Sequence, residues 1–276
     1  MTHRAHGRTA VVTGASAGIG EHTARLLARE GAHVALVARS EERLDTLAAE
    51  LTEAGGMVIA VPADLSTDTG RGSMVARVVE RLGPVEILVN NAGYGRYAPA
   101  DDTDPEDVRG MFDLNVLAAI DLCRLVVPGM RRRGFGRVVN VGSLAGHIAA
   151  EPLTVYAATK HALVGFSEGL HRELRADRDV AVSLVSPGPV RTEFGQTASG
   201  LPVRPHRVPG GVEAERVAAA INRVIDRPRR EVFVPAHHRI AARLAGLVPA
   251  IADAGAAYRG RTWERRLARA RRESGD

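Results

Sequence analysis

The chain has 276 residues, 45% hydrophobic and 25% charged, a balance that excludes a disordered, collagen-like or disulfide-stapled polypeptide and fits one large globular domain. No run approaches the roughly 20 apolar residues of a membrane-spanning helix, and the single cysteine, Cys123, allows no internal disulfide. Of the 37 basic residues only Lys160 is a lysine; the net charge is +5, with 32 acidic residues interspersed through most of the chain, which reads as arginine-biased composition rather than a nucleic-acid surface.

Seven short apolar, β-branched runs recur along the chain: TAVV near 9, HVALVA near 33, MVIAV near 57, VEILV near 85, RVVNV near 137, VAVSLV near 180 and EVFV near 231. Runs that are apolar throughout predict strands buried on both faces. Helical stripes lie between them, with Leu26 and Leu27, then Leu44, Leu47 and Leu51, then Val75, Val78, Val79 and Leu82. Two longer helices are expected at about 105–132 and 154–176, and another over 213–226. Alternating strands and helices predict an α/β, doubly wound, mostly parallel seven-stranded sheet with helices on both faces.

The stretch from Pro187 to Gly211 breaks this regularity with repeated proline and glycine. It predicts a substrate loop, taken as 189–211. Beyond His238, Ile240, Leu244, Leu247, Val248 and Ile251 form an amphipathic pattern broken at Pro249, followed by Arg261, Arg265, Arg266, Arg269, Arg271 and Arg272. The division expected is one catalytic domain over 1–238, including that loop, and a C-terminal helical, arginine-rich extension over 239–276. The basic end reads as a solvated helix end, with contact to a partner or an anionic membrane as the alternative.

Residues 13–20, TGASAGIG, follow the first strand and open a helix, with glycines at 14, 18 and 20. Such a turn lets backbone approach a pyrophosphate, and the helix beyond it offers free N–H groups. Its spacing differs from G-x-G-x-x-G. Further on come Asp64, NNAG at 90–93, Asn115, Ser143, YAATK at 156–160 and PG at 187–188. In this order the motifs resemble the short-chain dehydrogenase/reductase family, in its compact single-domain branch, over roughly residues 7–235.

The resemblance implies a Rossmann-like fold and a nicotinamide cofactor. It implies that Gly14, Ser16, Gly18, Ile19 and Gly20 line the phosphate turn, and that Asp64 and Leu65 lie at the adenine. Asn90, Ala92 and Gly93 would shape the floor, and Pro187, Gly188, Val190 and Thr192 the nicotinamide side. Taken singly, Asp64 reads equally well as a turn cap, and Asn90 as a residue tolerant of unusual backbone angles. No carboxylate stands at Ala38, Arg39 or Ser40 to bind a ribose 2′-hydroxyl, and Arg39 can take a 2′-phosphate. NADP(H) is therefore the expected cofactor, with NAD(H) possible.

Tyr156 and Lys160 stand four residues apart in a helical stretch and so share a face. Tyr156 is the expected proton donor or acceptor, Lys160 the cation that draws its pKa down, and Ser143 the hydrogen-bond donor to the substrate oxygen. By resemblance Lys160 also holds the nicotinamide ribose, and Asn115 completes a proton relay through water. The function expected is an oxidoreductase interconverting a small-molecule carbonyl and a secondary alcohol, with a non-catalytic cofactor-binding scaffold as the alternative. The resemblance further implies a homodimer or homotetramer through the two long helices.

Cys123, among Leu122, Leu125 and Val126, reads as a core residue. His147 and Arg96 stand near where substrate would pass, with packing roles equally open. No metal site is expected, since His237 and His238 lack ligand spacing. The opening MTHRAHGRTAVVTG lacks a signal-peptide apolar region, and a lone cysteine suits a reducing compartment, so the expected location is the cytoplasm.

Overall fold

The computed structural model describes residues 2–149, 151–177, 179–192 and 211–248. Strand β1 (Thr9–Thr13) leads into helix α1 (Gly18–Arg29), followed by β2 (His33–Ala38), α2 (Glu41–Glu53), β3 (Met57–Pro62), α3 (Asp68–Leu82) and β4 (Ile87–Asn90). The second half runs α4 (Pro105–Phe112), α5 (Ala118–Arg133), β5 (Gly136–Val141), α6 (Thr154–Glu173) and β6 (Val180–Pro187). It ends with β7 (Val190–Arg191), β8 (Val212–Glu213), α7 (Ala214–Asp226), β9 (Glu231–Val234) and α8 (His238–Leu247).

The seven expected strands form one sheet in the order β3-β2-β1-β4-β5-β6-β9. Every pairing in it is parallel, so the doubly wound reading is borne out. The order reverses between β1 and β4. At such a switch point the two chains leave the sheet in opposite directions and open a crevice beyond the strand ends.

Successive strand residues pack on opposite faces. Val12, Val34 and Leu36 join Leu27, Leu44 and Leu47 with Ile221 and Ile225 on the side of α1, α2 and α7. Val11, Ala35 and Val37 join Met74, Val78, Leu122 and Met130 on the side of α3 and α5. Cys123 sits in this second layer, and burial pushes its thiol up to about 12, which leaves it inert.

Local signals account for the helix ends. Asp104 accepts from the Glu106 N–H at 2.8 Å with Pro105 in the first turn of α4. Gly134, at φ +72°, ends α5 in the left-handed conformation.

Three details differ from the sequence reading. The expected helix over 105–132 is interrupted at Asp113–Leu117 by one wider, π-helical turn, so that α4 and α5 are separate. Val79, placed in the apolar stripe of α3, is 45% exposed, because Met74 and Val78 make the sheet contact instead. The ends of the expected substrate loop are tied by a two-residue parallel pairing of β7 with β8; residues 193–210 of that loop lie outside the described residues, as do those beyond Val248 in the expected extension.

Candidate active site

The crevice between β1 and β4 is held together by Thr13. Its hydroxyl donates to the Val89 carbonyl at 3.2 Å and accepts from the N–H groups of Asn91 and Ala92, both at 2.9 Å. The Asn91 amide donates to the Thr13 carbonyl at 2.9 Å. Gly14 takes φ +65°, and a Cβ there would lie 2.8 Å from Asn91 Nδ2; Gly18 takes φ +57°, and a Cβ there would lie 3.0 Å from Thr192 Cγ2. Thr192 thus overhangs the glycine turn, which half-buried Ser16 and Ile19 also line. Ala17 supplies no side-chain cap to α1, leaving the N–H groups of its first turn for an anion.

Asp64, past the end of β3, accepts from the hydroxyl and N–H of Ser66 at 2.7 and 2.9 Å. These bonds, with the charge of Arg39 adding to them, hold its carboxyl below the usual range. Leu65 is buried, and its carbonyl accepts from Arg71 at 2.8 Å. Buried Arg71 also pairs with Asp121 of α5 at 2.9 Å, anchoring the loop of Asp64 to the helix behind it.

Asn90 points into the protein, donating to Asn140 Oδ1 at 2.9 Å, and Asn140 donates to Ser167 at 2.9 Å. Asn90 Oδ1 has no hydrogen-bond partner among the described residues. With Thr13, Ala92 and Asn115 the residue lines a cavity of about 10 Å³, room for about one water.

The residues expected to handle the proton converge beside Gly93. A Cβ on Gly93 would lie 2.8 Å from Asn115 Oδ1 and 3.7 Å from Lys160 Nζ. Asn115 stands in the π-helical turn, 2% exposed; its amide donates to the Tyr94 carbonyl at 2.8 Å and to Thr159 Oγ1 at 3.0 Å, and its oxygen accepts from the Tyr94 N–H at 2.9 Å. Lys160 Nζ donates to the Val141 carbonyl at 3.0 Å and lies 5.7 Å from the centre of the Tyr156 ring. Ser143, just beyond β5, accepts from the Ala145 N–H at 3.1 Å and hydrogen-bonds the Tyr156 phenol.

Burial dominates the electrostatics here. It pushes the Tyr156 phenol above its ordinary value, opposed by the Ser143 hydrogen bond and reinforced by the Tyr97 phenol. It draws Lys160 down to about 8. The expected lowering of the phenol by Lys160 is not found in this structure, where burial leaves charge poorly solvated and sets the direction for both groups. Tyr156 stands as a neutral acid at pH 7, the form that can donate to a developing alkoxide.

On the side expected to face the nicotinamide, Pro187 ends β6 and the Gly188 N–H donates to the Val234 carbonyl at 2.8 Å. A Cβ on Gly188 would run into the His238 imidazole. Half-buried Val190 begins β7. His147 pairs with Glu231 at 2.7 Å, and Arg96 pairs with Asp107 at 2.9 Å. No metal-binding cluster occurs among the described residues.

Sequence reasoning missed Thr13, Thr159, Tyr94 and Tyr97. Thr13 had a faint signal, a hydroxyl ending an apolar strand directly before the glycine turn. Tyr97 had none: its place follows from the Ala98 N–H donating to the Pro152 carbonyl at 3.0 Å, a contact between loops far apart in sequence.

A doubly wound sheet, a glycine turn at its switch point and a buried Tyr156–Lys160 pair with half-buried Ser143 beside it define an oxidoreductase of the dinucleotide-fold class. The family model for short chain dehydrogenases matches residues 8–200. Ketoacyl reductase HetN of Nostoc sp. is 34% identical over 228 residues, which is 83% of this chain and 78% of that protein. A Burkholderia phymatum short-chain dehydrogenase/reductase, solved with NAD, aligns at TM-score 0.82 and 26% identity over 90% of this chain and 95% of its own. A Sphingobium yanoikuyae short-chain dehydrogenase, solved with NADPH, aligns at TM-score 0.78 and 33% identity over 88% and 93%. The chain belongs to the short-chain dehydrogenase/reductase family and is an oxidoreductase.

Proposed function

We propose that the protein is an NADP(H)-dependent oxidoreductase that interconverts a carbonyl and a secondary alcohol on a small molecule. The observation that carries this reading is the burial of Tyr156 and Lys160 one helical turn apart, with the Ser143 hydroxyl on the phenol. The residues fit a dinucleotide: Gly14 and Gly18 keep a cradle that side chains would fill, and the first turn of α1 is uncapped. Gly14, Ser16, Gly18, Ile19 and Gly20 would hold the pyrophosphate, Asp64 and Leu65 the adenine, and Thr192 would close over the turn. Arg39 would take a 2′-phosphate. Relatives solved with NAD and with NADPH support use of either cofactor by the family, and Arg39 supports NADP(H) here.

The nicotinamide supplies and accepts the hydride when bound. In reduction, the Ser143 hydroxyl donates to the substrate oxygen and Tyr156 gives its proton to the alkoxide as the C–O bond gains charge. Lys160 places a positive charge near the phenol, and its two N–H groups beyond the Val141 bond remain for the ribose and the relay. Asn115, clamped by Tyr94 and Thr159, fixes the inner end of that relay. Oxidation runs the same proton transfers in reverse.

Residues 1–238 act as one catalytic domain on this reading, with 239–276 as an extension, in the cytoplasm. Leu117 and Leu125 remain 44% and 49% exposed beside and on α5, which supports a homodimer or homotetramer contact there and on α6. The test is NADPH titration followed by turnover on a panel of ketones, with wild type and Tyr156→Phe. The variant should bind NADPH as wild type does and lose roughly 10²-fold or more in kcat/KM. Undiminished turnover would refute the role of Tyr156, and NADPH binding without turnover on any carbonyl would favour a scaffold.

A further inference from the structure

Helix α8 follows the last strand and carries its apolar residues on the wrong side for a core. Ile240, Leu244, Leu247 and the adjoining Val248 are 64%, 44%, 78% and 43% exposed. At about 100° per residue, positions 240, 244 and 247 fall in one narrow stripe. The half-buried residues His238, Ala242 and Ala245 fall on the opposite face, toward the protein. The stripe therefore points outward. Exposed Arg239 and Arg243 flank it along one side.

The charge of this part of the chain is equally uneven. Residues 239–276 hold nine arginines against four acidic residues, whereas 1–238 hold 28 basic and 28 acidic residues, so the whole net charge of +5 belongs to the C-terminal 38 residues. An outward apolar stripe flanked by arginine, in a stretch of sequence with this net positive charge, is the pattern of a helix that lies in a lipid interface. No helix among the described residues is long and apolar enough to cross a membrane, and ten-residue α8 with its one-sided stripe suits a surface contact. A second copy is a poor occupant, because stripe-to-stripe docking would bring Arg239 and Arg243 of both copies together. An anionic bilayer matches both features at once, taking the leucines among its acyl chains and the arginines among its phosphates.

We propose that α8, in the stretch of sequence that carries the net charge of the chain, binds the surface of anionic phospholipid bilayers, peripherally and reversibly. The proposal is independent of the cofactor and substrate of the enzyme.

The experiment is co-flotation of the full-length protein with vesicles of phosphatidylcholine alone or mixed with phosphatidylglycerol, at low and high salt. Two variants accompany it, Leu244→Glu with Leu247→Glu, and Arg239→Gln with Arg243→Gln; thermal melting and NADPH titration monitor folding. Wild type should float with the anionic vesicles, at least tenfold more tightly than with phosphatidylcholine, and be released by salt. The leucine variant should bind at least tenfold more weakly and the arginine variant at least fivefold, with unchanged melting. Failure of wild type to bind anionic vesicles at low salt overturns the proposal. So does equal binding by the leucine variant, which would reduce the effect to charge alone. A leucine variant that melts early or loses mass in sedimentation, with no vesicle binding by wild type, would assign the stripe to an internal or a self-contact instead.

Discussion

Lys160 keeps its charge in a site only 5% exposed, where burial draws its pKa from an ordinary 10.5 to about 8. The unfolded chain therefore binds this proton more tightly than the folded one. The cost to stability is fully present below pH 8 and is relieved as pH rises through 10.5. The gap corresponds to about 3 kcal/mol, part of which the hydrogen bond to Val141 returns. Lys160→Met should thus stabilise the cofactor-free protein by about 1 to 2 kcal/mol at pH 7 while losing turnover. That gain should fade between pH 8 and 10.5, as read from urea unfolding at pH 7 and pH 10. Equal stability of the two proteins at pH 7 would mean the ammonium is better solvated than its burial indicates. Arg39 poses the complementary case, an exposed cation whose field reaches Asp64. Arg39→Asp should lower kcat/KM with NADPH by about 10-fold to 100-fold, the worth of a charge-assisted hydrogen bond, and raise it with NADH. A variant that keeps its NADPH preference would contradict the 2′-phosphate assignment. Composition made Lys160 legible, since one lysine among 37 basic residues stands out. The burial that sets its pKa was not legible, because it depends on α6, β5 and the turn at Asn115 meeting in space.

At the scale of elements, the glycine turn and α1 work as one piece. A Cβ on Gly20 would lie 2.0 Å from the Gly14 carbonyl and 2.7 Å from Asn91 Nδ2, so α1 can approach the turn only because this position is bare. A Cβ on Gly72, in α3, would meet nothing within 4 Å, and the residue has no left-handed φ. The two alanine substitutions should therefore diverge. Gly20→Ala should destabilise by about 1 to 3 kcal/mol through overpacking and weaken NADPH binding, whereas Gly72→Ala should stabilise by roughly 0.5 to 1 kcal/mol. Thermal melting of both variants checks the sign, and a stabilised Gly20→Ala would show that the turn can yield. The strands could be read because they are apolar on both faces, and most helices because their stripes keep a 3.6-residue period. The π-helical turn at Asp113–Leu117 left no mark, since the apolar pattern runs on through it into α5. Strands β7 and β8 are two residues each, too short for any pattern to declare.

Across the whole molecule, what sequence could not supply is which distant loops meet at the switch point. Thr13, Asn91 and Val89 join two strands, and Asn90, Asn140 and Ser167 join two strands to α6; each bond needs the tertiary arrangement before it has meaning. The same arrangement leaves a face of α5 outside the core. Along this helix Leu122, Cys123, Val126 and Met130 are buried, while Leu125 and the preceding Leu117 stay 49% and 44% exposed with the Asp121–Arg124 ion pair between them. Two large apolar residues eight positions apart lie on one side of a helix. In a symmetric pair the same patch would meet itself, so one patch would supply both sides of the contact. Leu117→Glu with Leu125→Glu would set four carboxylates in such a contact, and the like charges would face each other across a poorly solvated surface. Sedimentation velocity should give the wild type a mass above that of one chain and the double variant the mass of a single chain, with near-UV circular dichroism unchanged. A wild type that sediments as one chain at micromolar concentration would sink the proposed interface, and the two leucines would then be ordinary exposed residues.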